Sequence, residues 1–222
     1  TLPSAHGGPA SSQPADWATV PGAMAADLRL LDLCQLTPMA ALSDLRTVVA
    51  SLSPGTDSPA AFAQRCSEYV FNTFLYQKGI TTVETTLDEL LELRSGVCQD
   101  FAHLLLQMLR LAGLPARYVS GYICPNRDGV RGAGATHAWV EVWLPQPGWL
   151  RLDPTNNCWV NDQHVVLSVG RQFADCSPVK GAYKGVAAQE LSVVVSVGYE
   201  DGTRLEEQNW VQTSRDLPPT ML

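Results

Sequence analysis

The sequence predicts an α+β domain, and three observations carry that prediction. Apolar residues recur at helical spacing up to Pro115 and at alternate positions beyond it, so a helical half precedes a sheet half. The stretch "RSGVCQDFAHLLLQMLRLAG", residues 94–113, sets a cysteine on the first turn of a strongly amphipathic helix. The stretches "ARYVSGYIC", "THAWVEVWL" and "WLRLD" then follow in close succession, rich in β-branched and aromatic residues, as an antiparallel sheet requires.

Taken in order, residues 1–22 are dominated by Pro, Ser, Ala and Gly without any period, so they read as a flexible tail or linker remnant, leaving 23–222 as one domain. Helical patterning starts at Met24 and includes Leu28, Leu31, Leu36 and Leu42, with Thr37-Pro38 as a start signal between two short helices. Ser58-Pro59 opens a longer helix to about Gln77, with Phe62, Cys66, Tyr69, Val70 and Phe74 on its core side. Thr86 and Glu89 form a capping box for a helix through Leu93 that Gly96 is expected to end. The Cys98 helix follows at once, with Phe101, Leu104, Leu105, Met108 and Ala112 on one face and Gly113 and Pro115 closing it. Beyond the three central strands, "HVVLSV" and "ELSVVVSVGYE" also read as strands.

Composition narrows the function. The 222 residues can bury a full-sized core, and 45% hydrophobic with 17% charged residues is ordinary for a globular protein. A net charge of −7 without Lys/Arg runs excludes the footprint of a nucleic-acid binder. No apolar stretch approaches 18 residues, and the N-terminus has no leader pattern, so no membrane partner is expected. The chain starts at Thr1, as a fragment or processed form would. The six cysteines contain no C-x-x-C pair, which argues against a zinc knuckle; scattered thiols fit small buried side chains in a reducing, cytoplasmic setting. No acidic, oxygen-rich loop suited to calcium is present, and no metal or other cofactor is expected.

Cys98 has a distinct chemical setting. Free backbone N–H groups and the dipole at a helix N-terminus favour negative charge, so a thiol there is a better nucleophile, and the same N–H groups can hold an oxyanion. Asp100 on the same turn opposes this unless it is paired; helix capping or an ion pair is its expected role. A thiol nucleophile needs a base and a group that orients the base. Of the four histidines, His137 shares a strand face with Trp139, Glu141 and Trp143, while Ala138, Val140, Val142 and Leu144 face the other way. An antiparallel hairpin turning at 145–148 with its apolar faces aligned brings His137 and Asp153 to one side, either as a base with its orienting acid or as a structural ion pair. His103, one turn beyond Cys98, reads as a packed structural histidine.

The ordered motifs "GVCQDFAHL", "ARYVSGY", "HAWVEVWLP" and "GWLRLDPTNN" resemble the core of the transglutaminase-like superfamily, in particular its bacterial group described as candidate cysteine proteases. With "HVVLSVGRQFADCSPVKGAYKG", the resemblance runs from about residue 60 to 197. It implies a papain-like α+β core, with the nucleophile at a helix N-terminus packed on an antiparallel sheet, and maps the nucleophile, base and orienting acid onto Cys98, His137 and Asp153. Tyr118 and Tyr122 are implied close to the nucleophile, where either hydroxyl could aid an oxyanion, though packing also accounts for them. Trp139 is a candidate wall of the substrate cleft. His164, Asn156 and Asn157 resemble family positions, and turn formation also accounts for the asparagines. Gln172-Phe173 departs from the family's Asp-Tyr after "GR". The group commonly carries a β-rich region before the core, which this chain does not contain, so a trimmed form is implied.

Three functions follow: a thiol hydrolase acting on a peptide or amide, a transglutaminase-type acyl transferase using the same residues, and a non-catalytic peptide-binding module, which the intact set of Cys98, His137 and Asp153 disfavours.

Overall fold

The computed structural model describes residues 16–52, 58–124, 131, 136–177, 190–193 and 211–214. Regular structure is present ahead of the expected boundary at residue 23. Asp16 caps a 3-10 turn, Trp17–Thr19, which runs into α1 (Val20–Ala26); Asp27 caps α2 (Leu28–Asp32) through the Arg29 amide. Part of the expected tail is therefore structure, because Val20 is buried and the Trp17 ring meets Phe62 edge-on at 5.5 Å.

No helix starts at Thr37-Pro38. Both the amide and the carbonyl of Thr37 are bonded to the side chain of Gln107, at 2.9 and 2.8 Å, so a long-range contact replaces the local one. The next helix is α3 (Leu42–Ser51), followed by α4 (Pro59–Thr73), which Ser58 caps by accepting from the Ala61 amide. The latter stops four residues short of Gln77. Leu75 and Tyr76 instead form a short strand, β1 (Leu75–Tyr76). The capping box is present in α5 (Leu87–Leu93), which ends at Arg94 in the left-handed region (φ 54°) rather than at Gly96. Gly96 lies in β2 (Ser95–Gly96), pairing parallel with β1. A Cβ on Gly96 would come within 2.7 Å of Asp100 Oδ2 and 2.9 Å of Leu90, so close approach fixes this glycine.

The central helix is α6 (Cys98–Leu111). Phe101, Ala102, Leu104, Leu105, Met108 and Leu109 are all fully buried in it. They pack on a five-stranded antiparallel sheet made of β3 (Ala116–Ile123), β4 (Thr136–Leu144), β5 (Gly148–Asp153), β6 (Cys158–Trp159) and β7 (His164–Gly170), in the order β6-β5-β4-β3-β7. A short helix, α7 (Phe173–Cys176), follows, and β8 (Glu190–Val193) pairs antiparallel with β9 (Val211–Ser214). The remainder of the expected strand "ELSVVVSVGYE" lies outside the described residues. Among the described residues no helix is long and apolar enough to cross a membrane.

The alternation along β4 sorts as expected: Ala138, Val140, Val142 and Leu144 join the core under α6. On the same strand Glu141 is buried and paired with Arg117 of β3 and Arg151 of β5, and Arg117 lies 3.9 Å over the Trp149 ring. Arg110 of α6, also buried, donates to the carbonyls of Gln35, Ala116 and Arg171, tying the helix to two loops and the start of the sheet.

Gly121 of β3 faces His137 of β4, and a Cβ there would strike both the Val165 carbonyl and the Trp139 ring. Gly121→Ala should lower the unfolding free energy by about 1–3 kcal/mol, the usual cost of overpacking. Urea titration of the variant checks this, and an unchanged midpoint would mean that β7 gives way freely.

Candidate active site

Cys98 opens α6 in a turn held from several sides. The carboxylate of Asp100 reaches back to the Val97 amide at 2.8 Å and accepts the Thr81 hydroxyl at 2.7 Å. Asp100 thus caps the helix, as expected, and its charge is engaged by two donors. Burial raises its pKa, and the two hydrogen bonds pull the other way. The parallel pairing of Tyr76 with Gly96 fixes the chain just before the thiol. All six cysteines are free, and Cys98 is half-buried.

His137 and Asp153 meet because of strand register. Val140 faces Leu152 and Val142 faces Leu150, so aligned apolar faces bring His137 and Asp153 together across the end of the hairpin. Nε2 of His137 lies 2.8 Å from Asp153 Oδ2, and both side chains are fully buried. Nδ1 is buried without a partner of good hydrogen-bond geometry. Burial presses the His137 pKa down, but the charge and hydrogen bond of Asp153 outweigh it, joined by hydrogen bonding and charge from the Cys98 thiol, and the net effect is a rise to about 10. With Nε2 taken by Asp153, Nδ1 is the nitrogen left for the thiol.

Asp153 is heavily solvated by the protein. Oδ1 accepts from the Thr155 amide at 2.9 Å and the Asn156 amide at 3.3 Å; Oδ2 accepts from Asn156 Nδ2 at 2.7 Å besides His137. A second imidazole reaches the same oxygen, His164 Nε2 at 3.3 Å, while its Nδ1 is 3.3 Å from the Asn161 amide. The same Nδ1 also lies 3.1 Å from Asn161 Oδ1, so the Asn161 contacts alone do not set the tautomer; the ionised Asp153 acts as acceptor towards Nε2. Burial alone would raise the Asp153 pKa; the His137 charge and these donors hold it well below the usual carboxylate range. His137, Asp153 and His164 are also close enough together to hold a metal ion. The same atoms also face one another in the ion pair and its hydrogen bonds.

The remaining candidates separate by burial. Trp139 is fully buried, with its ring edge-on to His164 at 5.2 Å, so it cannot wall an open cleft; it packs behind the imidazoles. His164 likewise turns its ring onto Asp153 rather than towards a substrate. Tyr118 is buried against His103 and Phe173; burial, then the charges of Cys98, Cys176 and Asp100, keep its hydroxyl protonated near the thiol. Tyr122 is half-buried at the end of β3, opposite Thr136. His103 accepts the Phe173 amide at 3.1 Å, and burial with the Arg110 charge pushes its pKa down to about 4, so it is a neutral structural residue. Phe173 takes part in this packing at the position where the family's Asp-Tyr is replaced. Two residues around the cluster of Cys98, His137 and Asp153 escape the sequence pattern. Tyr76 was absorbed into a helical reading, yet burial and the charges of Cys98 and Asp153 push its hydroxyl up. Arg131 sits in a Gly-rich stretch without period, and its partner Asn156 reads in the sequence only as a family position or a turn residue.

A central helix with a thiol on its first turn, facing a buried His–Asp pair on an antiparallel sheet, is the arrangement of papain-like and transglutaminase-like proteins. Residues 46–154, the segment that carries Cys98, His137 and Asp153, match the model of the Transglutaminase-like superfamily. An uncharacterized protein of Mycobacterium leprae is 47% identical over 126 residues, covering 55% of this chain and 44% of its own. A protein-glutamine gamma-glutamyltransferase of Pseudomonas aeruginosa is 36% identical over 104 residues, covering 43% of this chain and 15% of that protein. Among solved structures, a candidate cysteine protease of Cytophaga hutchinsonii superposes with a TM-score of 0.60 at 20% identity, over 87% of this chain and 58% of that one. The chain thus spans under half the length of the curated relatives it matches.

The pair has a definite pH signature. His137, with its pKa raised from 6.5 to about 10, contributes stability that is complete below 6.5 and lost as pH rises towards 10. Asp153, depressed from 3.8, contributes stability that is present above 3.8 and lost as pH falls below it. The stability gap between the wild type and Asp153→Asn should therefore be widest between these values, about 3 kcal/mol at pH 5 for a broken buried pair, and should narrow by pH 9.5. Urea unfolding at the two pH values tests this; a gap that widens with pH would contradict the ion pair.

Proposed function

We propose that the protein is a cysteine-dependent amide hydrolase, a peptidase or amidase working through an acyl-thioester on Cys98. The observation that carries this reading is the His137 ring bonded through Nε2 to buried Asp153 while Nδ1 is left for the Cys98 thiol.

In the first half-reaction the Cys98 thiolate adds to the amide carbonyl carbon. The resulting oxyanion lies by the Cys98 amide at the start of α6, where such donors contribute about 3 kcal/mol. Collapse breaks the C–N bond, the departing amine takes the proton from the His137 imidazolium, and the thioester remains. Water then adds to the thioester carbonyl, giving its proton to His137. Breaking the C–S bond releases the carboxylic acid and restores the thiol and imidazole. Asp153 keeps its charge throughout and stabilises the imidazolium.

Transglutaminase-type transfer uses the same first step, with an amine in place of water in the second. The similarity to the Pseudomonas gamma-glutamyltransferase favours this as the second reading. Incubation with peptides and amines, following ammonia, free carboxylate and cross-linked product, separates the two: carboxylate without cross-link supports hydrolysis, and cross-link supports transfer.

Two outcomes test the shared chemistry. Asp153→Asn should stay folded at neutral pH and lose about 10³–10⁴ in turnover, because the amide favours the wrong imidazole tautomer. Turnover equal to wild type would leave Asp153 a structural role only. Iodoacetamide near pH 6 should label Cys98 well ahead of the other cysteines, since burial pushes Cys66 up to about 12 and Cys158 to about 11 and also raises Cys34. Peptide mapping after brief labelling reads this. His137→Ala should slow the labelling of Cys98, and Cys98 reacting no faster than Cys34 or Cys176 would move the binding-module reading ahead.

A further inference from the structure

One cation tied to the His137–Asp153 pair has no part in the acyl chemistry. The amide of Arg131 donates to Asn156 Oδ1 at 2.9 Å and its carbonyl accepts from Asn156 Nδ2 at 3.1 Å. That same Nδ2 donates to Asp153 Oδ2 at 2.7 Å, so a single amide side chain fixes Arg131 relative to the His137–Asp153 pair. The guanidinium lies 4.6 Å over the Phe71 ring, a cation–π contact that needs none of the hydrogen bonds of its N–H edge.

Nothing described on the protein uses that edge. Arg29, Arg117, Arg151 and Arg171 each have a carboxylate partner, whereas no carboxylate among the described residues pairs with Arg131. The two acids at the site are engaged elsewhere, Asp100 by Thr81 and Val97 and Asp153 by its ring of donors. The hydroxyl of half-buried Tyr76 makes no hydrogen bond among the described residues, and the charges of Cys98, Asp153 and Arg131 all act on it. A chain of net charge −7 repels anions at long range, but over the few ångströms of a site a local cation dominates.

We propose that Arg131 receives a carboxylate of the acyl donor, so that the preferred substrate carries an anionic group close to the carbonyl that Cys98 attacks. The planar fork of guanidinium N–H groups matches a carboxylate in two-point contact. The inference rests on Cys98 being the nucleophile, and it names the substrate class for that chemistry.

Alkylation of Cys98 by two small reagents of equal shape tests it without a substrate. Iodoacetate carries the carboxylate and iodoacetamide does not. In Arg131→Gln the ratio of the iodoacetate rate to the iodoacetamide rate should fall about tenfold, the effect of one charge-assisted contact, and Arg131→Lys should restore most of it. Two longer reagents identify the source of the carboxylate: N-chloroacetyl-glycine presents a chain-terminal group and N-chloroacetyl-glutamic acid α-amide an acidic side chain, and the one slowed more by Arg131→Gln matches the substrate. An unchanged ratio, or equal slowing of both small reagents, overturns the inference, the latter because Arg131 would then act on the thiol itself. If wild-type Cys98 shows no preferential labelling by iodoacetamide, the nucleophile reading fails first; rapid labelling with an unchanged ratio removes Arg131 alone.

Discussion

The buried ion pair between His137 and Asp153 is the constraint to which the surrounding structure answers. Two charges taken fully out of water are tolerable only when each is paired and the spare lone pairs are filled. Here the lone pairs of Asp153 are filled by the Thr155 and Asn156 amides, the Asn156 side chain and His164. Those donors come from the turn after β5 and from β7, so the sheet must close around this carboxylate in one way. The pair also gives the imidazole a fixed orientation, the preorganisation that the proposed role of His137 as a base requires.

The thiol is placed by a separate set of contacts that converge on the same point. Asp100 spans Val97 and Thr81, Gly96 admits that carboxylate, and the two-residue pairing of β1 with β2 holds the approach to the helix. All of these contacts are made within residues 75–100. Helix and sheet are joined instead by apolar packing, with Phe101, Leu104, Leu105 and Met108 against Ala138, Val140 and Val142, and by the buried guanidinium of Arg110. Rigid packing of this density lets two independently held groups meet within reach of a proton.

Much of this was legible because local signals and long-range structure agree. The capping box at Thr86, the apolar face of α6 and the alternation along β4 each depend on neighbours in sequence, and each appears as the pattern implies. Where a distant group intervenes, the local signal fails. Thr37-Pro38 has the chemistry of a helix start, yet Gln107, seventy residues away, takes its backbone groups. Helical spacing carried Phe74 and its neighbours on to Gln77, but pairing with Ser95 and Gly96 draws Leu75 and Tyr76 into a strand. Trp139 and His164 show the same limit at the site: their residue types suit a cleft, and only the tertiary structure buries Trp139 against the imidazoles and turns His164 onto Asp153. Arg131 offers no periodic signal at all, because its position is defined by Asn156.

Glu141, two turns of the pleat from His137, acts as an index for strand pairing. Hydrophobic alternation penalises a slip by one residue, which would turn every apolar side chain to the wrong face, but it is blind to a slip by two. In the native pairing Glu141 faces Arg117 on one side and Arg151 on the other. A two-residue shift of β5 would set this buried carboxylate opposite Trp149 or Asp153, and a shift of β3 would set it opposite Val119 or Pro115. Each error strands a charge or confronts two like charges, at a cost of several kcal/mol. The arginines flanking Glu141 thus encode which of several equally apolar alignments forms, and with it the single alignment in which Asp153 meets His137.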